Sequence, residues 1–210
     1  VSRMESLSII LEKATKEYTD AEKEAMAARK NGYYVELIGS LTENDILANR
    51  IFPDAVAYGG WPMDEHVAGG FDAKGINPSI VRNVDGLYTI PYGCFCSSTI
   101  SNLMMAGRDI SVSKLAMAST RVMGTCAIGG QAAGTAAAMA VNEKILPAQV
   151  NVSALQQRLL RQDCFIPGFK NQDEKDFAPL CRIHANGAKE NCPAENVVNG
   201  IARTTEEGEN

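Results

Sequence analysis

The spacing of hydrophobic residues predicts that the chain begins with helix. Through residues 1–31 apolar positions such as Leu7 and Leu11 recur at steps of three and four, with charged side chains between them. This period places the apolar side chains on one face of a helix. Thr19 followed by Glu22 has the spacing of a capping box, which predicts that a second helix begins there. We interpret this segment as scaffold.

Shorter elements follow. Residues 33–39 have the composition of a strand, and Thr42 with Asp45 predicts the capped start of a short helix. A short apolar run at residues 55–58 comes next. Residues 59–78 are rich in glycine and proline and predict a loop. Because this loop carries tryptophan, acidic and histidine side chains, we treat it as a candidate functional segment.

The second half of the chain alternates strand and helix signals. Residues 86–91 are strand-like, and the continuous apolar run at 102–107 predicts a strand buried on both faces. Helices are predicted over 113–122 and 125–142, and a last helix is predicted to begin at a capping box at Ser153. This order predicts the α/β class, with a mixed α+β appearance if the chain is a fragment.

Composition and charge narrow the possible functions. The chain has 210 residues, 45% hydrophobic and 21% charged, which is typical of a globular protein. Its net charge of −5, with no cluster of Lys and Arg, argues against nucleic acid or an anionic membrane as a partner. The six cysteines show no CxxC spacing and the histidines are two, so no metal site is predicted.

One stretch of 18 uncharged residues, GTCAIGGQAAGTAAAMAV (124–141), is long enough to span a membrane. Its alanine, glycine and threonine content and its lack of aromatic and basic flanks argue against a membrane helix. We predict a helix buried on nearly all sides. Glycine costs about 1 kcal/mol inside a helix, so Gly129, Gly130 and Gly134 need a reason. Either tight helix packing or a phosphate or reduced flavin at the helix N-terminus would supply it.

Three motifs resemble one family. NLMMAGRDIS (102–111) resembles the second flavin fingerprint of flavoproteins with two dinucleotide-binding domains, in which a strand ends in Ala-Gly-x-Asp. STRVMGTC (119–126) and GQAAGTAA (130–137) extend the match. Residues 88–168 are similar to the C-terminal segment of FAD-dependent oxidoreductases related to the flavin subunit of heterodisulfide reductase. Upstream, GSLTENDI (39–46) and FPDAVAYGGWPMDEH (52–66) are similar to that family's substrate-cap segment.

This resemblance implies a domain order and a set of site residues. Residues 1–87 would be part of a substrate or cap domain, 88–168 the C-terminal part of a Rossmann-like FAD-binding domain, and 169–210 a polar linker. Asp109 would bind the ribityl chain, and Asp64 and His66 would face the substrate for proton transfer. The residues expected to contact the flavin or its phosphates are Gly107, Arg108, Asp109, Arg121 and, at the start of the small-residue helix, Gly129, Gly130, Gln131 and Ala132.

The implied function is hydride transfer to FAD from an organic substrate, with a sugar-related compound among the candidates. Some relatives carry an iron–sulfur cluster, but the chain has no clustered cysteine motif for one. The alternative is a non-catalytic scaffold or carbohydrate-associated module that has lost flavin chemistry. Gly93 stands where the family usually has Arg, and Gly124 where it usually has Pro. These departures affect the expected substrate chemistry more than the expected flavin site.

An absence predicts that the chain is a fragment. The GxGxxG turn that holds the FAD pyrophosphate does not occur, so we expect the rest of a parent chain to complete the cofactor site. The chain begins at Val1 without a recognisable signal peptide, and the compartment of a parent, cytoplasmic or exported, would depend on its N-terminus. CPAENVVNGIAR (192–203) resembles the first strand of a discoidin-like, galactose-binding β-sandwich, which would favour a glycan-related substrate.

Several side chains have a structural interpretation beside the functional one. Cys94 and Cys96 are expected to pack in the core, although a redox-active thiol beside a flavin is the alternative. Trp61 anchors its loop or stacks on a substrate. His66 is a satisfied structural histidine or a proton carrier.

Overall fold

The computed structural model describes residues 36–67, 72, 74–190 and 192–199. The helices predicted over 1–31 lie outside these ranges. Four helices and four strands are labelled here in chain order: α1 (Glu43–Leu47), β1 (Ala55–Gly59), β2 (Met63–His66), β3 (Ser79–Arg82), β4 (Tyr88–Pro91), α2 (Lys114–Thr120), α3 (Met123–Glu143) and α4 (Val152–Arg161). Turns of 3-10 helix lie at Tyr92–Phe95, Pro147–Gln149, Ala178–Leu180 and Ala194–Val198.

Short polar side chains begin the helices. The capping box predicted for α1 is confirmed: Asp45 N donates to Thr42 Oγ1 at 3.4 Å, and Thr42 N donates to Asp45 Oδ2 at 3.0 Å. Ser113 caps α2 in the same way, accepting from the backbone of Ala116 at 3.2 Å. The start predicted for α4 at Ser153 is wrong, because Asn151 caps that helix two residues earlier.

The strands form two antiparallel pairs. β1 pairs with β4, with a register shift between Ala55 and Ala57, and the predicted strand over 86–91 is thereby confirmed as β4. β2 pairs with β3, with Asp64 opposite Val81 and His66 opposite Ser79. The prediction of a loop over 59–78 is therefore wrong in part. Only Met63 of β2 is fully buried, so the strand gives almost no hydrophobic alternation to detect.

Two other strand predictions do not hold in the described residues. The run at 102–107 makes one isolated bridge, between Met104 and Cys96, and it is half-buried rather than buried on both faces. This run lacks the partner strands that would place it at the centre of a sheet. Of the strand predicted over 33–39, residues 36–39 are described and contribute an isolated bridge from Leu37 to Ser97.

The core lies between the β1–β4 pair and the helices α3 and α4. Leu155 and Leu159 of α4 are buried against it, as their four-residue spacing predicts. Small residues let α3 pack closely on β1, with Ala132 and Ala136 buried. The prediction that α3 is buried on nearly all sides is wrong, because one face of the helix is exposed, including Val141 at 76%.

The architecture is a mixed α/β one, as the sequence predicts, with small antiparallel sheets and helices. In the part of the chain that the structure describes, no helix combines the length and hydrophobicity needed to cross a membrane. Among the residues described after α4, the regular elements are two short 3-10 turns. The domain boundaries at residues 87 and 168 remain predictions.

Candidate functional site

The β2–β3 ribbon brings the two predicted proton-transfer residues together. Residues two apart on a strand share a face, so Asp64 and His66 lie on one face of β2. His66 Nε2 is 3.8 Å from Asp64 Oδ2, and 60% of the His66 side chain is exposed. Ser79 Oγ, across the ribbon, donates a hydrogen bond to Asp64 Oδ1. Sequence reasoning missed Ser79, because its role depends on the register between β2 and β3.

The other face of the ribbon is fixed to the rest of the molecule. Met63 is fully buried, and Glu65 Oε1 is 3.1 Å from Lys114 Nζ at the start of α2. Arg82 Nη1 lies 3.5 Å from Glu65 Oε2. The hydrogen bond from Lys114 holds the pKa of the Glu65 carboxyl below its usual range, with both nearby cations contributing. Met63 and the ion pairs of Glu65 therefore hold one face of the ribbon against the rest of the described unit, and the face that carries Asp64 points away from the core.

The C-terminal end of α2 holds the chain that leads into β2. Ser119 Oγ donates to the carbonyl of Trp61 at 2.5 Å, and Tyr88 Oη donates to Ser119 Oγ at 2.6 Å. Burial raises the pKa of the Tyr88 phenol to about 12, so the phenol stays a donor. Arg121 Nη2 donates to the carbonyl of Asp64 at 2.8 Å. Two main-chain carbonyls of the candidate segment are thus fixed by one helix end.

This geometry gives Arg121 a role that the sequence did not predict. We expected its guanidinium near the flavin or its phosphates. The structure uses one of its nitrogens to hold the backbone of the Asp64 strand, 57 residues earlier in the chain. A contact at that separation depends on the fold and leaves no local pattern in the sequence.

The predicted ribityl-binding turn lies beside the start of α3. Gly107 has a φ of +101°, which favours glycine, and it turns the chain into Arg108 and Asp109, both exposed. Partial desolvation raises the pKa of the Asp109 carboxyl, opposed by a hydrogen bond from its own backbone. Burial raises the pKa of the Cys126 thiol, in the first turn of α3, and the nearby charges of Arg108 and Asp109 act on that pKa in opposite directions. The turn and the helix start therefore face the same region.

The start of α3 is open. Its N-cap residue, Val122, provides no side-chain hydrogen bond, so the first backbone N–H groups of the helix have no capping side chain. Gly124 is exposed, and no described atom lies within 4 Å of the position that a Cβ would take there. Nearby, the buried hydroxyl oxygen of Thr120 has no hydrogen-bond partner among the described residues. Unpaired donors and an uncharged, open backbone suit an anionic group.

The prediction that Gly129 to Ala132 lie at the helix start is wrong. The helix begins at Met123, so these residues occupy its second and third turns and their N–H groups bond within it. Gly129 packs against the ring of Phe95, 3.0 Å from where its Cβ would lie, and Ala132 is buried. Gly130 and Gln131 are exposed on the outer face of the helix. The helix predicted over 125–142 begins two residues earlier, at Met123.

The cysteines show no feature of a reactive pair. Cys94 and Cys96 are fully buried, and desolvation raises the pKa of the Cys94 thiol to about 12 and that of Cys96 in the same direction. Burial favours the packing interpretation, since thiolates are the reactive form. Among the described residues, no group of three or more His, Cys, Asp and Glu side chains could hold a metal ion.

In the described residues, a mixed α/β unit presents an open helix start beside a Gly-x-Asp turn, and the β2–β3 ribbon carries Asp64 and His66 on one face. A family model described as FAD dependent oxidoreductase matches residues 38–159, more than half of the chain, so the chain belongs to that family. Membership implies FAD as cofactor and a small molecule as substrate. No curated protein matches the chain, and no solved structure does.

Proposed function

We propose that the protein oxidises an organic alcohol, with FAD accepting the hydride, and that it belongs with the flavoproteins related to the flavin subunit of heterodisulfide reductase. The observation that carries the proposal is the extent of the family match, which includes the Asp64 ribbon, the Asp109 turn and the start of α3 in one segment. Because the chain contains no GxGxxG turn, other residues of a parent protein would bind the pyrophosphate.

The residues present fit a flavin. Gly107 allows the close turn, the Asp109 carboxylate accepts hydrogen bonds from hydroxyl groups, and the first turn of α3 offers free N–H donors next to the open position at Gly124. Gly130 and Gln131 would lie along the outer edge of this wall. When bound, FAD supplies the electron-accepting ring that takes the hydride from the substrate carbon.

The ribbon would supply proton transfer. A neutral imidazole of His66 accepts the proton of the substrate hydroxyl, and the Asp64 carboxylate, 3.8 Å away, stabilises the cation that forms. Ser79 occupies the other oxygen of Asp64, which fixes the plane of the carboxylate. Arg121 and Ser119 hold the two ends of this segment by its main chain, so the pair keeps its position while a proton moves.

An absorbance spectrum of the full-length parent protein, purified with added FAD, tests the flavin assignment. We expect bound flavin, and we expect Asp109→Ala to raise the Kd for FAD by about tenfold or more, because a hydrogen bond to a charged group is lost. Asp85→Ala is the matched control, since Asp85 is an exposed acid with no assigned contact. A parent that holds no flavin, or equal affinity in both variants, would contradict the proposal; the former favours a non-catalytic scaffold.

A further inference from the structure

The β2–β3 ribbon has two edges, and its hydrogen bonds decide which main-chain groups point to each. In an antiparallel pair, residues that bond to the partner strand alternate with residues whose N–H and C=O groups point away from it. Val67 N donates to the carbonyl of Pro78 at 3.2 Å, which fixes the alternation. By the register of the strands, Ile80 therefore bonds to β2, whereas Ser79 and Val81 turn their main-chain groups outward.

The edge on the β2 side is closed. Asp64 lies opposite Val81, so its main-chain groups also point away from the ladder, on the other side of the ribbon. Arg121 Nη2 donates to the Asp64 carbonyl there at 2.8 Å, and β2 packs against α2. A further strand could pair with β2 only by displacing this arginine.

The edge on the β3 side is open among the described residues. Of its outward groups, Ser79 N donates to Asn77 Oδ1 at 3.2 Å. The carbonyl of Ser79 and both main-chain groups of Val81 have no partner in the part of the chain that the structure describes. The strand contains neither a proline nor a bulge, and its one charge lies at its last residue, Arg82. It therefore lacks the usual features that block pairing at a sheet edge.

We propose that this edge pairs with the same edge of a second copy of the chain, so that two ribbons form a four-stranded antiparallel sheet about a two-fold axis. In the register that satisfies the open groups, Val81 lies opposite Val81 of the second copy, and each donates its N–H to the carbonyl of the other. An isolated two-stranded ribbon is marginally stable, whereas a sheet of three or more strands is not. The pairing thus stabilises both ribbons.

The side chains favour a second copy over an unrelated extended peptide. Sheet edges that bind peptides lie beside pockets that take alternate side chains. Ile80 and Val81 project from opposite faces of β3 and are exposed at 41% and 56%, so the described residues form no such pocket at this edge. In the two-fold register the valines meet at the axis, and Arg82 comes opposite Ile80 of the second copy. Like charges are therefore not directly opposed between the paired strands.

The pairing places both candidate sites on one sheet. Val81 lies opposite Asp64, on the face that carries His66. The order across the four strands is then Asp64, Val81 and the same two residues of the second copy in reverse. Neighbouring strands are about 4.8 Å apart, so the two Asp64 positions lie about 14 Å apart. Both acid–base pairs open on the same face of the dimer.

Charge substitutions at position 81 test the pairing, because the two-fold register puts this position opposite itself. Sedimentation equilibrium of the 210-residue chain over a range of concentrations measures the association and needs no flavin. We expect a mass of two chains in equilibrium with one. Val81→Lys and Val81→Glu should each raise the dissociation constant about tenfold or more, since like charges then meet. An equimolar mixture of the two variants should restore the association.

Val197→Lys is the matched control, because Val197 is another exposed valine, at 74%, in the last 3-10 turn. It should leave the dissociation constant unchanged, and circular dichroism checks that each variant is folded. A chain that stays monomeric at every concentration would overturn the proposal and leave the edge to an extended segment of another protein. A dimer that survives both charged variants, or a mixture that associates no better than either variant alone, would refute pairing at this edge.

Discussion

Alanine substitutions in α3 separate glycines that the chain needs for its own packing from those it does not. At Gly130 and Gly134 no described atom lies within 4 Å of a new Cβ, and neither residue has a positive φ. Replacing helical glycine by alanine then gains helix propensity without a clash, about 1 kcal/mol at each position. At Gly129 the new methyl would meet Phe95 Cε1 at 3.0 Å, in a fully buried ring.

We therefore expect opposite effects on the free energy of unfolding. Gly130→Ala and Gly134→Ala should each stabilise the chain by about 1 kcal/mol. Gly129→Ala should be neutral or destabilising, because overpacking a core costs about 1–3 kcal/mol and offsets the gain in propensity. Urea denaturation, followed by the helical circular dichroism signal at about 222 nm, measures the difference in free energy of unfolding. A stability change shifts the urea concentration at the midpoint and leaves the slope of the transition unchanged.

The result bears on function as well as on stability. If stabilising alanines are tolerated by the chain but reduce FAD occupancy in the parent, then the glycines are present for a group that lies on the outer face of α3. Destabilisation by Gly130→Ala would refute this reasoning, since the outer face would then be a packed surface. Equal stabilisation at all three positions would show that Phe95 moves aside.

Two further predictions concern how the site is held in place. Gln156 is buried and its Nε2 donates to the carbonyls of Pro53 and Ala55, both at 2.9 Å, so Gln156→Leu leaves two acceptors unsatisfied and should destabilise the chain by about 1–3 kcal/mol for each. Gln157→Leu, whose hydrogen bonds are exposed, should cost clearly less in the same urea experiment, and equal costs would contradict the assignment. Glu65 has a pKa below its ordinary value of 4.5, so its pairing with Lys114 stabilises the fold above that pH and is lost as the pH falls through the lowered value. Glu65→Gln should flatten the loss of stability between about pH 5 and about pH 3; an unchanged pH profile would show that the ion pair adds nothing.

Local patterns predicted the helices well. The cap at Thr42, the period of α4 and the uncharged run of α3 are all short-range signals, and each corresponds to a helix in the structure. The residues expected at the start of α3, from Gly129 onward, lie six residues after its first residue, Met123, because Val122 carries no capping side chain to mark the start.

The strands were predicted less well, since their formation depends on partners. The run at 102–107 has the composition of a buried strand but forms one isolated bridge, from Met104 to Cys96, rather than a longer ladder. The opposite error occurred at β2, where a strand of mostly polar residues is stabilised by its pairing with β3 and by ion pairs on one face. Composition reports what a strand could bury, and pairing decides whether it forms.

The sequence identified candidate site residues but did not predict how the fold brings them together. Asp64 and His66 are two residues apart on one strand, so their proximity follows from the period of two. Their connection to the flavin side does not, because it runs through Ser119 and Arg121, which reach back to carbonyls 58 and 57 residues earlier. Arg121 ends α2 and α3 begins two residues later. On the proposed function, the same short segment fixes the main chain on the substrate side and starts the helix on the flavin side, so a change at Ser119 or Arg121 would shift the Asp64 and His66 side chains relative to the flavin without altering either side chain.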